Sequence, residues 1–211
     1  MVQVLSANAI TLRDLSDKFH LRYVEDASFF PEWQTDLPEI SPEEQKILDK
    51  VKSAYLNLVT DPPVLEKPIQ LVMVSPLLLL ADFYLSPYQV KTEKVIEVIE
   101  ENEGVVVTGT LDILVLKEKL WLLVIESKRA ALSIESGLAQ LLSYLLGRPL
   151  LGRPDSDRPG YGLVTNGENF LFIKLMSQDF PVYATSRYFA VRNPGNDLYE
   201  VLRILKKIRD C

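Results

Sequence analysis

The sequence predicts an α/β fold in which a central β-sheet is covered by helices. Val105–Leu116 and Leu120–Lys128 are apolar on both alternating faces, with Ile113 and Val115 on one side and Leu114 and Leu116 on the other. Strands of that composition are covered from above and below. Val90–Glu100 precedes them across an Asn102-Glu103-Gly104 turn, and Lys117–Lys119 separates the two, so the three form an antiparallel meander. Helical periodicity stands on either side of the meander, after Ser41 and again over Ser133–Gly147.

A chain of 211 residues, 47% hydrophobic and 25% charged, suits one sizeable globular unit. Residues 1–60 are expected to form a helical extension packed on a core made by residues 61–211. The formal net charge of −6 argues against a general nucleic-acid coat, which holds phosphates with Lys and Arg. Any nucleic acid would have to meet a local basic patch. The lone cysteine, Cys211, and the lone histidine, His20, exclude an intrachain disulfide, a cysteine-rich zinc site and an all-histidine metal site. No apolar run approaches the length of a membrane span, the nearest being Leu77–Ala81, and no charged-then-apolar leader opens the chain. No membrane partner and a cytoplasmic location are therefore expected. The absence of a G-x-x-x-x-G-K-[ST] loop excludes a helicase motor within this sequence.

Taken in order, Thr11–His20 reads as a short helix and Phe29-Phe30-Pro31-Glu32-Trp33 as an irregular arm held by its aromatics. Ser41-Pro42-Glu43-Glu44 is a helix start with a capping box. Ile47, Leu48, Val51, Ala54, Tyr55, Leu58 and Val59 give its buried face, and Asp61-Pro62-Pro63 ends it. A second apolar segment, 64–85, has helical length. Pro68 fits its first turn, whereas Pro76 should kink or split it. After the meander, Ile134, Leu138, Leu141, Leu142 and Leu145 form the buried stripe of the next helix. Asn166-Gly167-Glu168 between Tyr161–Thr165 and Asn169–Leu175 signals a hairpin. A further β pair is expected over Val182–Val191. Asp197-Leu198-Tyr199-Glu200 resembles a capping box opening a last helix, with Arg203, Lys206, Lys207 and Arg209 on its outer face.

Three ionisable residues interrupt the apolar strands: Asp112, Glu126 and Lys128. Charged side chains are seldom buried without a partner. A turn centred near Lys119 sets Asp112 opposite Glu126, within about 5 Å between β-carbons. The strand period of two puts Lys128 on the same face as Glu126. Two carboxylates and an ammonium then converge, which suits a metal site. Gly109 signals a bulge or a close backbone approach just before the acid. In the following helix Gly137, Gln140 and Tyr144 share one line at three- and four-residue steps, so Gln140 and Tyr144 are neighbours.

Asp112, Glu126-Ser127-Lys128 and Gln140-Leu141-Leu142-Ser143-Tyr144 together resemble the PD-(D/E)XK nuclease superfamily in its RecB-like form, with a Q-x-x-x-Y helix. Gly162–Phe170 is similar to the stretch that follows this core in the nuclease domains of type I restriction R subunits. The proline of the family's name is missing, and Leu111 precedes Asp112. The resemblance covers roughly residues 60 to 176. It implies a restriction-endonuclease-like core, an αβββαβ unit with a central mixed sheet flanked by helices, and Mg²⁺- or Mn²⁺-dependent hydrolysis of DNA phosphodiesters. It implies Asp112, Glu126 and the Ser127 carbonyl as metal ligands, Glu66 as a further carboxylate from the helix before the sheet, and Lys128, Gln140 and Tyr144 as the remaining catalytic set. Arg129, with Arg148, Arg153 and Arg158 of the basic 149–160 region, are candidates for phosphate contact. The partners implied are DNA and restriction-modification subunits on other chains, and a homo-oligomer is compatible with the sequence. Two other readings stand beside the enzyme: a silent nuclease-fold module serving as scaffold, which the acidic balance favours, and a buried structural ion network.

Overall fold

The computed structural model describes residues 3–100, 104–147, 158–177 and 180–211. The chain is a mixed α/β protein with one large mixed sheet flanked by helices. Its middle runs as a helix α4 (Ser75–Leu80), three antiparallel strands β3 (Tyr88–Glu100), β4 (Val105–Lys117) and β5 (Leu120–Ser127), a helix α5 (Ile134–Leu146), and β6 (Gly160–Thr165) parallel to β5. β7 (Asn169–Ser177) returns antiparallel through the expected Asn166–Glu168 turn, where Gly167 takes a positive φ of 83°. The core divides into two layers because β4 and β5 are apolar on both faces. One layer carries Ile113, Val115, Leu123 and Ile125 against the helices α2 (Pro42–Leu58), α4 and α6 (Leu198–Arg209). The other carries Leu111, Leu114 and Val124 against α5 and α1 (Leu12–Phe19).

The N-terminal region is not a purely helical extension. β1 (Gln3–Ser6) joins β4 in parallel, and β2 (Arg22–Tyr23) joins β8 (Pro181–Thr185), also in parallel. Strands of four and two residues carry too little periodicity to be read in sequence. The arm at Phe29–Trp33 is anchored as its aromatics suggested, but also by charge: Glu32 accepts from Lys174 Nζ at 2.7 Å and from the Tyr161 hydroxyl at 2.8 Å.

α2 starts with the capping box in place. Ser41 N–H donates to Glu44 Oε2 at 2.7 Å, and Glu44 N–H donates to Ser41 Oγ at 3.2 Å. Ile47, expected inside, is 43% exposed, and Ala54 is also exposed; Leu48, Val51 and Tyr55 carry the packing. Between α3 (Glu66–Ile69) and α4 the chain stays helical through a widened π turn, Gln70–Val74. Proline lacks an N–H and its ring collides with the preceding turn, so a looser turn just ahead of Pro76 absorbs it without a break.

Near the C-terminus two expectations are corrected. β8 and β9 (Phe189–Ala190) do not pair with each other; both lie on β7. Asp197 does not cap α6 through its side chain. Its Oδ2 instead accepts from Ala190 N–H at 3.0 Å and Asn193 Nδ2 at 2.8 Å. The basic face of α6 is occupied internally. Arg203 donates to the Leu37 and Pro38 carbonyls, Lys206 pairs with Glu44, and Arg209 pairs with Asp82.

Candidate metal and catalytic cleft

The site lies where the sheet opens. β3 covers one edge of β4 along its whole length. The other edge is shared: β1 pairs with Val105–Thr108, and β5 pairs only from Ile113 onward. Gly109–Asp112 thus have a neighbouring strand on one side alone, and the gap between β1 and β5 becomes a cleft of about 420 Å³. At the same point the ribbon reverses its faces. Val107 and Leu111 belong to the α5 layer, but Ile113 and Val115 belong to the α2 layer. The opposite strand absorbs the reversal at Glu93, a non-glycine residue in the left-handed region with φ 53°.

The register that places the two acids is set by a bulge. The β4–β5 turn consists of Glu118 and Lys119, both with positive φ (51° and 71°), and Lys117 pairs with Leu120. Leu116 pairs with Trp121 but Val115 with Leu123, so Leu122 is the extra residue. That shift carries Ile113 onto Ile125 and sets Asp112 beside Glu126. The Ser127 N–H donates to Asp112 Oδ2 at 2.7 Å and fixes that carboxylate.

Lys128 sits just past the end of β5, its own N–H donating to the Thr165 carbonyl at 2.7 Å. Its ammonium is buried and donates to Glu126 Oε1 at 2.9 Å and to Gln140 Oε1. Gln140 Nε2 donates to the Tyr144 hydroxyl at 2.8 Å, which donates to the Thr110 carbonyl at 3.0 Å. The lysine is therefore held through a relay from α5 to the open edge of β4. Two glycines permit the approach. A β-carbon at Gly137 would lie 2.7 Å from Val164 Cγ1 and 3.3 Å from Lys128 Cε. One at Gly109 would lie 2.7 Å from both Ala7 Cβ and the Tyr144 hydroxyl.

The electrostatics are those of crowded carboxylates. Burial, then repulsion from Asp112, pushes Glu126 up to about 8. Burial raises Asp112 as well, against the lowering effect of the Ser127 N–H. Burial also lifts the Tyr144 phenol to about 12, so it remains a donor at neutral pH. Glu126 Oε2 is buried without a hydrogen-bond partner, beside that second carboxylate. An orphaned carboxylate oxygen and an all-oxygen donor set fit a hard divalent cation such as Mg²⁺ or Mn²⁺. Glu66, the first residue of α3, lines the same cleft from its rim. Among the described residues no three His, Cys, Asp or Glu side chains gather into a cage. The donor set at hand is accordingly Asp112 and Glu126, with Glu66 standing off.

The remaining sequence candidates divide. Arg129 is exposed and lines the cleft. Arg158 does not: it stands with Trp121 and Tyr161 around a separate cavity at the starting ends of β5 and β6. Six residues of extended chain separate that end from Glu126, about 20 Å. Arg148 and Arg153 lie outside the described residues. Asn8, Thr110 and Ser136 also line the cleft. Sequence reading missed them because Asn8 sits in the turn after the unpatterned strand β1, and Thr110 acts through its main chain.

Comparison with protein-family models and with curated proteins gives no match for this chain. Among the described residues no helix is long and apolar enough to cross a membrane.

Proposed function

We propose that the protein is a divalent-metal-dependent nuclease with a restriction-endonuclease-like core of the PD-(D/E)XK type. The observation that carries this reading is the placement of Asp112 beside Glu126 at an open sheet edge, with Lys128 bridging Glu126 and Gln140. When bound by Asp112 and Glu126, with the Ser127 carbonyl and Glu66 as further oxygen donors, the ion supplies positive charge to the phosphate and acidifies water. The chain's own residues do the rest. Asp112 is pre-set by the Ser127 N–H. Lys128, oriented from two sides, directs the attacking water and offsets charge developing on the phosphate oxygens. Tyr144 locks the Gln140 amide so that its oxygen faces the ammonium.

The test is cleavage of single- and double-stranded DNA with Mg²⁺ or Mn²⁺, comparing the wild type with Lys128→Ala and Asp112→Ala. Metal-dependent cutting that both substitutions reduce by at least about a hundredfold is the expected result. A folded wild-type protein that cuts under no condition would count against the enzyme. The net charge of −6 favours a second reading, a silent module that retains the fold and serves as scaffold for subunits on other chains. Calorimetric titration with Mn²⁺ separates the two, since only the enzyme requires the ion.

A further inference from the structure

Glu66 and Arg129 line two neighbouring cavities. One is the carboxylate cleft. The other is a hollow of about 300 Å³ lined by Leu65, Glu66, Lys67, Pro68 and Arg129. Its character differs from that of the cleft. Leu65 is 53% exposed and, with Pro68, offers an apolar surface. Two cations flank it. The Arg129 side chain has no ion-pair or hydrogen-bond partner among the described residues. Lys67 is tethered on its outer side to Glu93 at 2.6 Å, in a pair more than half exposed at both ends. Such exposed pairs contribute little and exchange readily for another anion. Lys67 also feels the charge of Asp112 and Glu66, which places it within electrostatic reach of the cleft.

We infer that this hollow is a subsite for the nucleotide flanking the reacting phosphate, and that it takes that nucleotide from an unpaired strand. The inference rests on the nuclease reading of the adjoining cleft. Lys67 and Arg129 meet the flanking phosphate, and the base lies against Leu65 and Pro68, where the guanidinium also offers a flat stacking face. A base seated there has left any duplex stack, a step that costs an unpaired strand least.

The experiment is fluorescence anisotropy of a labelled ten-nucleotide single strand and its duplex with the full-length protein, with Ca²⁺ in place of Mg²⁺, over a range of salt. Mn²⁺ calorimetry is run on every variant. Lys67→Ala and Arg129→Ala are each expected to weaken single-strand binding about three- to tenfold and to lower the slope of log K against log salt by about 0.7. Each variant still takes up Mn²⁺, and Lys67→Arg restores the slope. Arg13→Ala, on the exposed side of α1, leaves binding as it is. Unaltered binding in both cation variants, or duplex held as tightly as the single strand, overturns the subsite. A wild type that takes up Mn²⁺ but no oligonucleotide overturns the subsite alone. One that takes up neither removes the nuclease reading along with it.

Discussion

Asp112 stands beside Glu126 because Leu122 is bulged out of β5. Without that extra residue the Lys117–Leu120 pairing would run on unchanged, and Asp112 would face Ile125. Glu126 and Lys128 would then fall out of step with the acid, since a slip of one residue exchanges the faces of a strand. Above about pH 8 the cleft thus holds two like charges in a dry place, and the apo protein bears their repulsion. Asp112→Asn removes one charge yet keeps an oxygen to accept the Ser127 N–H. In that alkaline range the metal-free variant should gain about 1 kcal/mol, or roughly 2–4 °C in melting temperature. It should also lose whatever stabilisation Mn²⁺ gives the wild type. Thermal melts with and without Mn²⁺ check both halves.

The same repulsion sets a pH dependence opposite to that of most acids. Glu126 is raised in the fold to about 8 from an ordinary value of 4.5, and Asp112 moves in the same direction. Between those limits the folded protein holds more protons than the unfolded chain. Its stability therefore falls as pH rises from about 4.5 toward about 8, by up to about 1.4 kcal/mol per pH unit, and levels off above. Urea midpoints of the metal-free protein across this range should show the decline. Glu126→Gln should flatten it.

How far the site was legible depends on what fixes each part. Glu126 and Lys128 share a face by the period of a strand, and Gln140 and Tyr144 by that of a helix, so both pairs could be read directly. The Asp112–Glu126 pairing also follows from a turn centred near Lys119, but the actual turn is two residues long and the bulge at Leu122 makes up the difference. The expectation was correct through compensation that no local pattern encodes. β1 was invisible because its partner, Val105–Thr108, is about a hundred residues away in sequence. With β1 unseen, the gap in the sheet that forms the cleft was unseen too. Arg158 was misplaced for the converse reason: it belongs to a basic segment but stands just ahead of a strand whose start lies away from the acids.

Gly109 is the hinge of the β1–Tyr144 contact. A β-carbon there would lie 2.7 Å from Ala7 Cβ, which is backbone-anchored, and 2.7 Å from the Tyr144 hydroxyl. Gly109→Ala should cost about 1–3 kcal/mol, as overpacking does. It should also displace the Gln140 relay and so reduce any cleavage. Chemical denaturation gives the first number. Tyr144→Phe, which removes the hydroxyl without adding bulk, tests the relay separately from β1 docking.

The Phe29–Trp33 arm offers a last check, on whether the N-terminal region is integral to the fold. Glu32 lies with Lys174 and Tyr161 in a pocket that leaves the Lys174 side chain 9% and the Glu32 side chain 13% exposed. The Lys174 ammonium also lies 5.6 Å from the Phe29 ring centroid. Removing one partner of such a pair strands the other charge, so Glu32→Ala should cost about 3 kcal/mol. Adding Lys174→Met to that variant removes the stranded ammonium and keeps an unbranched side chain against Phe29. The double substitution should recover most of the loss, and a double-mutant cycle of urea unfolding measures the coupling. If the arm were a loosely attached extension, Glu32→Ala would leave the global midpoint unchanged. Residues 3–33 would then have to be detached from the unit that β4 organises.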